Sequence, residues 1–273
     1  MNELDVVGVG AWSQHFANWQ DLVLGLSGKG WREDVKLAPG LLPPAVRRRA
    51  PVSVKMAIEV MKQACDMASL NPREIATVYC SAMGDMQITD YICKTLTQNP
   101  ELLSPTQFHN SVHNAATGYW TIATNAHSPA TAISAYTYSA SMAFFEAAIQ
   151  AAAEELPVML VTEEVQAPPT LSFACPTSVP FAAAIILAHV SENLPAIARL
   201  GFKTRAETVK WMGHSSLPDE LANIPSANLL SVLAALAEAQ TFLETRRVRL
   251  PLSPGMHVDI SITASAASQR EHA

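Results

Sequence analysis

The stretch 128–153 constrains the fold of this chain more than any other part of its sequence. Thr131 to Ala135 carries β-branched residues in loose alternation and predicts a short strand. From Ser139 onward the stretch is rich in alanine, lacks glycine and proline, and is apolar on nearly every face. A helix without a polar side belongs in the interior of a protein. We therefore expect a strand, a tight turn and a buried central helix.

The turn between this strand and helix is a predicted site for chemistry. The N-terminus of a buried helix presents free backbone N–H groups and the positive end of the helix dipole, which favour a thiolate or another anion. The sequence places the hydroxyl residues Thr137 and Ser139 there, and no cysteine. Because a hydroxyl is a poor nucleophile unless a base lies within hydrogen-bond reach, a hydroxyl that caps the helix is the favoured interpretation.

This pattern resembles the nucleophile elbow of the β-ketoacyl synthases, which have a thiolase-like fold. A Ser-Pro pair, a strand, a turn of small residues and an alanine-rich helix follow one another in the same order. We lined up Pro129, Ile133, Ser139 and the pair Ala147–Ala148 without a gap. This puts Thr137 where those enzymes carry the cysteine that accepts the acyl chain.

A second segment extends the resemblance. The ketosynthase pattern Asn-x-x-(Ala/Val)-Gly-x-x-(Ala/Thr)-Ile is matched by Asn114, Gly118 and Ile122 within 108–123. In all, the resemblance covers residues 5–190. It implies an α/β protein with a thiolase-like layered fold, the N-terminal half only, with a buried central helix and a shortened C-terminal extension.

The resemblance also implies a single ketosynthase-like domain over 1–273. Residues 1–190 would form the thiolase-like half, residues 191–263 the shortened C-terminal part and residues 264–273 a frayed tail. Strand and helix periodicities agree with this organisation. The predicted strands are 5–9, 76–80, 131–135, 157–162, 181–190, 196–203 and 256–263, and the predicted helices are 54–69, 88–98, 108–125, 139–153 and 223–245, the last with Ser226 as its cap.

The catalytic histidines of condensing ketosynthases have no counterpart here. Those enzymes carry two histidines in the second half of the chain, in His-Gly-Thr and Asn-x-x-His motifs. Neither His214 nor His257 lies in such a pattern. The resemblance therefore implies a chain that does not run a Claisen condensation alone. A stand-alone acyl hydrolase or acyltransferase that uses Thr137 or Ser139 is the alternative.

A ketosynthase-like chain without its cysteine resembles a chain-length-factor-type subunit, in particular the short partner of aryl-polyene ketosynthases. The resemblance implies a non-catalytic subunit, without cofactor, that forms a heterodimer with an active β-ketoacyl-ACP synthase and helps to form its acyl or polyene tunnel. The pathway would be fatty-acid-like or type II polyketide biosynthesis, with the acyl carrier protein met indirectly through the partner. The residues expected at the tunnel or interface are Gln107, Phe108, Val112, Asn114, Tyr119, Trp120, Tyr136 and Tyr138.

The low content of charged side chains favours a permanent interface. Charged residues make up 15% of the chain, against about 25% in average proteins, and obligate interfaces are depleted in charge. An unusually apolar monomer is the alternative. The net charge of −6 argues against nucleic acid as a partner, because phosphate binding needs clustered cations. The basic clusters 47–49 and 246–249 are short.

The sequence predicts a cytoplasmic protein. Its four cysteines show no CxxC spacing and lie in apolar surroundings, which is typical of reduced core cysteines. The N-terminus lacks the basic and apolar regions of a signal peptide. Polar residues interrupt the longest apolar stretches, so we expect no membrane span.

Three further motifs are incomplete. Gly8-Val-Gly10 lacks the third glycine of a dinucleotide loop, so a nucleotide-binding module would need measurable affinity to be supported. The segment 25–30 lacks the Ser or Thr that follows the lysine of a P-loop. His109 and His113 would share one helix face, as in a two-histidine metal site, but no third ligand accompanies them. The sequence therefore predicts no metal site.

Overall fold

The computed structural model describes residues 2–154, 156–175, 177–190, 194–209 and 216–265. Within these residues, eight strands form one mixed sheet with helices on both faces. The strands are β1 (Asn2–Ser13), β2 (Ala76–Cys80), β3 (Ala130–Ile133), β4 (Val158–Glu164), β5 (Phe181–His189), β6 (Ala198–Arg205), β7 (Arg246–Ser253) and β8 (Met256–Ala264). The helices are α1 (Trp19–Leu26), α2 (Pro44–Arg47), α3 (Val52–Ala68), α4 (Met86–Gln98), α5 (Pro105–Asn110), α6 (Ala115–Thr124), α7 (Ser139–Glu154), α8 (Asp219–Ala222) and α9 (Ala227–Phe242). No described helix is long and apolar enough to cross a membrane.

The strands follow the order β3-β2-β4-β5-β1-β6-β8-β7. β2 pairs in parallel with β3 and β4, whereas β5 is antiparallel to its neighbours β4 and β1. Helices fill the connections between the parallel strands, since parallel pairing needs a long crossover. β6, β8 and β7 extend the sheet antiparallel beyond β1. The predicted α/β architecture with a shortened C-terminal part is confirmed.

Helix α7 lies at the centre of the fold, as its sequence predicts. It packs against β2, β4 and β5, and also against α9 and β7, the strand at the far end of the sheet. The sheet therefore curves around α7 and α9. Ala143, Phe144, Ala147, Ala148 and Ala151 are fully buried on α7. Their mostly small side chains allow close packing against the strands and α9.

The two glycines of β1 serve packing between a strand and a helix. α3 lies against β1 on the opposite face of the sheet from α7. A Cβ atom on Gly8 would lie 2.2 Å from the carbonyl oxygen of Ala64, and one on Gly10 would lie 2.0 Å from that of Val60. The Gly-x-Gly pattern is thus explained by close approach of backbone to backbone.

The predicted helix over 108–125 is interrupted in the structure. α5 ends at Asn110 and α6 begins at Ala115. The Ser111 hydroxyl donates to the carbonyl of Phe108 at 2.8 Å. Such local bonds compete with the helical hydrogen-bond ladder, because they offer the backbone another partner.

The interruption separates His109 from His113. His109 lies in α5, whereas His113 lies between the helices with its Nε2 3.0 Å from the carbonyl oxygen of Ile133. The expectation that the two histidines share one helix face is wrong. Within the described ranges, no group of three or more His, Cys, Asp and Glu side chains is arranged to hold a metal ion.

The C-terminal part contains a strand that the sequence patterns missed. The basic residues 246–249 belong to β7, where Arg249 lies opposite Asp259 of β8, with Nε 3.3 Å from Oδ1. β8 runs one residue into the tail expected to fray, since Ala264 pairs with Ala198. Residues 266–273 of that tail lie outside the described residues. Helix α1 also has no counterpart among the predicted elements.

We predict that Gly10→Ala destabilises the protein, because the new methyl group would meet the Val60 carbonyl of the α3 backbone. Overpacking of this kind typically costs about 1–3 kcal/mol, occasionally more. Urea denaturation followed by circular dichroism measures the loss. Gly118→Ala is the matched control, because nothing lies within 4 Å of its added Cβ in α6, and it should stabilise by about 0.5–1 kcal/mol. Equal stability of Gly10→Ala and the parent protein would contradict the close approach.

Candidate functional site

The turn between β3 and α7 holds one residue in a strained conformation. Tyr136–Tyr138 form a 3₁₀ turn, and Tyr136 has a φ of +50°, in the left-handed region that bulky residues rarely adopt. Such a backbone costs roughly 1–3 kcal/mol and persists where the surroundings hold it. The Tyr136 hydroxyl donates to the carbonyl of Ala174 at 3.1 Å. The loop before β5 therefore helps to hold the turn.

Ser139 closes the turn and does not cap α7. Its side chain is buried, and its Oγ accepts from the N–H of Ala135 at 2.8 Å and donates to the carbonyl of Tyr136 at 2.7 Å. Both partners precede the helix, so the expected capping bond to α7 is wrong for this hydroxyl. The Ser139 proton is held inside the turn.

Thr137, at the aligned nucleophile position, is exposed to solvent. In the part of the chain that the structure describes, its hydroxyl has no recorded hydrogen bond, so it caps nothing there either. Its carbonyl accepts from Nδ2 of Asn228 at 3.3 Å, and the same amide donates to Oγ of Ser141 at 2.6 Å. Asn228 is in the first turn of α9. The C-terminal part of the chain thus holds the turn in place.

Two buried glutamates end β4. Consecutive strand residues point to opposite faces of a sheet, and the two carboxyl groups accordingly have different partners. The hydroxyl of Tyr79 donates to Oε1 of Glu163 at 2.6 Å. Oε1 of Glu164 accepts from the N–H of Ala82 at 3.0 Å and from Oγ of Ser226 at 2.6 Å.

Ser226 links this pair to the helix that holds the turn. It precedes α9, as predicted, but its hydroxyl donates to Glu164 and lies 2.8 Å from that of Thr162, and it makes no capping bond to α9. The expectation of a side-chain cap is therefore wrong. Ala82 in turn accepts from Oγ of Ser134, just after β3, at 3.0 Å. Glu164 is therefore connected through Ala82 to the end of β3 and through Ser226 to the start of α9.

The environment of both glutamates favours their protonated forms. Burial, together with the neighbouring charge of Glu164, raises the pKa of Glu163 to about 8, although the hydrogen bond from Tyr79 opposes this. Burial raises the pKa of Glu164 to about 7, although the hydrogen bonds from Ser226 and Ala82 oppose this. Oε2 of Glu163 is buried and has no hydrogen-bond partner among the described residues. Glu163 therefore holds a proton at neutral pH.

Sequence reasoning missed this pair. Its signal was two successive glutamates directly after the apolar run 158–162, in a chain with few charges. A strand buried on both faces forces any carboxyl group at its end to find partners or to take up a proton.

The surface residues expected at an interface gather in part around one cavity. Val112, Asn114 and Tyr119, which belong to the expected set, line a cavity of about 500 Å³ beside α5 and α6, together with Ile122. Ile122 is 77% exposed, and Phe108, on the preceding helix, is 60% exposed. The side chains of Ile122 and Phe108 thus form an apolar surface that is exposed to solvent in the isolated chain.

The other expected residues are more scattered. Gln107 is half-buried on α5, Tyr136 is exposed and Tyr138 is half-buried in the turn. Trp120 is 2% exposed and packs in the core on the α3 side of the sheet. Its ring therefore does not reach the surface of this chain.

We predict that the stability of this protein falls as pH rises from about 5 to 8. Glutamate has an unfolded pKa of about 4.3, below the folded values, so the folded state binds more protons in this window and rising pH removes stability. Glu163→Gln, which cannot ionise, should reduce the loss by a few kcal/mol, roughly, in urea denaturation at several pH values. The exposed Glu101→Gln should keep the parent slope, and a Glu163→Gln slope equal to the parent's would refute the assignment.

Solved structures of known proteins share this fold. A chain of the ketosynthase ApeO in complex with its chain length factor ApeC from Xenorhabdus doucetiae aligns with a TM-score of 0.70 and 21% identity, over 96% of this chain and 100% of that chain. A chain of the AntDE:AntF complex, a type II polyketide synthase carrier protein with its ketosynthase, gives a TM-score of 0.78 and 11% identity over 97% of this chain and 100% of that chain. The ishigamide ketosynthase/chain length factor gives 0.74 and 12% over 97% and 99%. At these sequence identities, the structural similarity shows a shared fold and nothing further.

The sequence itself assigns the family. Among curated proteins no significant match was found. The family model of the beta-ketoacyl synthase N-terminal domain matches residues 19–249, most of the chain. Together with the buried helix and the turn at its N-terminus, this match identifies the protein: the chain belongs to the beta-ketoacyl synthase N-terminal domain family and has the thiolase-like ketosynthase fold.

Proposed function

We propose that this chain is a non-catalytic, chain-length-factor-like subunit that pairs with an active β-ketoacyl-ACP synthase. In the complex it would form part of the tunnel for the growing acyl or polyene chain, in aryl polyene or related type II polyketide and fatty-acid-like biosynthesis. One observation carries this proposal: a ketosynthase family member has the exposed Thr137 at the position aligned with the acyl-accepting cysteine.

The surroundings of Thr137 support a role without covalent chemistry. Its hydroxyl has no base as a hydrogen-bond partner within the described residues, and an unassisted hydroxyl reacts slowly. His257 is engaged in β8, with Nδ1 2.9 Å from the carbonyl oxygen of Glu207 and Nε2 3.1 Å from Oδ1 of Asp259. His214 lies outside the described residues.

An unpaired strand edge and an apolar surface support pairing with another subunit. β3 is the terminal strand of the sheet and pairs only with β2 in the described chain, and a free edge can add a strand from another chain. Phe108, Val112 and Ile122 are exposed on the nearby segment that contacts the end of β3 through His113. We place the ketosynthase partner on this surface.

The physical role of such a subunit is steric. Each CH₂-sized unit of a growing chain that enters an apolar tunnel gains about 0.8 kcal/mol from burial, and a bulky side chain at the tunnel end replaces that gain with a clash. Phe108, Tyr119, Tyr136 and Tyr138 are the aromatic candidates for this task that reach the surface at least in part. The partner would supply the catalytic residues and most of the docking surface for the acyl carrier protein.

The proposal covers organisation and compartment as well. We take 1–273 as one ketosynthase-like domain, because the sheet continues without a break from β1 into β6. We place the protein in the cytoplasm. Its four free thiols, among them the exposed Cys93, support a reducing compartment.

We predict that Phe108→Glu prevents co-purification with a co-expressed ketosynthase, because a buried, unpaired carboxylate opposes association. The loss should be at least about tenfold in affinity, measured by pull-down and analytical ultracentrifugation. Phe242→Glu is the matched control, since both side chains are 60% exposed and Phe242 lies at the C-terminal end of α9. Equal binding by both variants would contradict the proposed surface.

A second experiment separates this role from catalysis. We expect no covalent adduct on the isolated chain after incubation with acyl thioesters, as measured by intact-mass spectrometry. An acyl group on Thr137 or Ser139 would instead support the alternative function, an acyl hydrolase or acyltransferase.

A further inference from the structure

A second cavity lies on the face of the sheet opposite the turn. It has a volume of about 470 Å³, within the range of about 300–1,000 Å³ that is usual for small-molecule sites. Trp12 near the end of β1, Val52 at the start of α3 and Pro180 before β5 contribute to its wall, together with the irregular segment 34–39. We call it the β1–α3 cavity.

The charges around the β1–α3 cavity have the opposite sign to the chain as a whole. Lys36, Arg47 and Lys55 line it, with Asp34 as the accompanying carboxylate, which gives a net of two positive charges. The whole chain carries −6. The guanidinium of Arg47 donates to the carbonyl of Pro39, at 3.3 Å. No ion pair of Lys36, Arg47 or Lys55 is recorded within the described residues. Three cations around one space with a single carboxylate repel each other, and an anion between them relieves that repulsion.

The start of α3 adds to the positive charge beside the cavity. Val52, the first residue of α3, lines the cavity, and the N-cap residue Pro51 makes no side-chain capping bond. The N-terminal end of a long helix carries a partial positive charge, which favours an anion nearby.

Apart from Gln14, the remaining wall is apolar, which restricts the class of ligand. Val35, Leu37, Pro39 and the ring of Trp12 line the cavity beside the cations. A simple inorganic anion would leave this apolar surface uncovered, whereas a ligand with a short hydrocarbon part would bury it. The net charge of two matches a phosphate monoester, which carries about −1.5 to −2 at neutral pH, better than a carboxylate with a single charge.

We propose that the β1–α3 cavity binds a soluble organic phosphate monoester with a short apolar chain. Lys36 and Lys55 would hold the phosphate as point charges, Arg47 would bind it through paired N–H groups, and the apolar wall would cover the chain. The cavity is complete within this chain. Its ligand binding is therefore independent of pairing with a ketosynthase.

Isothermal titration calorimetry of the full chain with n-hexyl phosphate tests the proposal. We expect hexyl phosphate to bind about tenfold or more tightly than either inorganic phosphate, which lacks the chain, or hexanoate, which lacks the second charge. The double variant Lys36→Gln/Lys55→Gln should weaken hexyl phosphate binding by about tenfold or more. Lys62→Gln removes one charge from the same helix outside the cavity and should leave binding unchanged.

Three outcomes would overturn the proposal. These are no heat of binding with hexyl phosphate, equal binding of hexyl phosphate and inorganic phosphate, and unchanged affinity in the double variant. Co-sedimentation with vesicles that contain phosphatidic acid separates a soluble ligand from a lipid headgroup. We expect the chain to stay in the supernatant, and sedimentation that the double variant abolishes would assign the cavity to a membrane lipid instead.

Discussion

The packing of α7 between the sheet and α9 is the interaction on which the rest of the structure depends. The helix contacts strands from both ends of the sheet, which curves around it. Fully buried alanines allow this, since larger side chains would push the strands and α9 apart. The same packing brings Asn228 of α9 to the carbonyl of Thr137. The geometry of the turn therefore follows from the position of the central helix.

The polar groups near this helix are connected rather than isolated. Glu164 joins the end of β4 to Ala82 after β2 and to Ser226 before α9. These bonds satisfy a carboxyl group that burial would otherwise make very costly. Glu163 instead accepts a hydrogen bond from Tyr79 and is neutralised by its own proton. The network connects the two halves of the chain at the level of the turn.

Much of the fold could be predicted, because the signals involved are local. The Ala-rich run after Ser139 predicts a buried helix, and the short apolar runs at 76–80 and 181–190 favour core strands. The turn was predicted for the same reason, since it lies between a strand and a helix that are both recognisable from local sequence patterns. β7 was missed although Arg247 and Arg249 alternate with Val248 and Leu250, because the run was interpreted only as a short basic cluster.

The sequence by itself determined that a ketosynthase-like chain carries Thr137 where a cysteine is expected, since that depends only on residue order. Only the tertiary structure decided that the Ser139 hydroxyl forms its hydrogen bonds with the preceding turn and that the Ser226 hydroxyl donates to Glu164. It also placed the cations of the β1–α3 cavity around one space. In each case the deciding partner is distant in the chain or lies outside the helix that the hydroxyl was expected to cap. Periodicity reports which face of an element is buried, but it carries no information about what that face will meet.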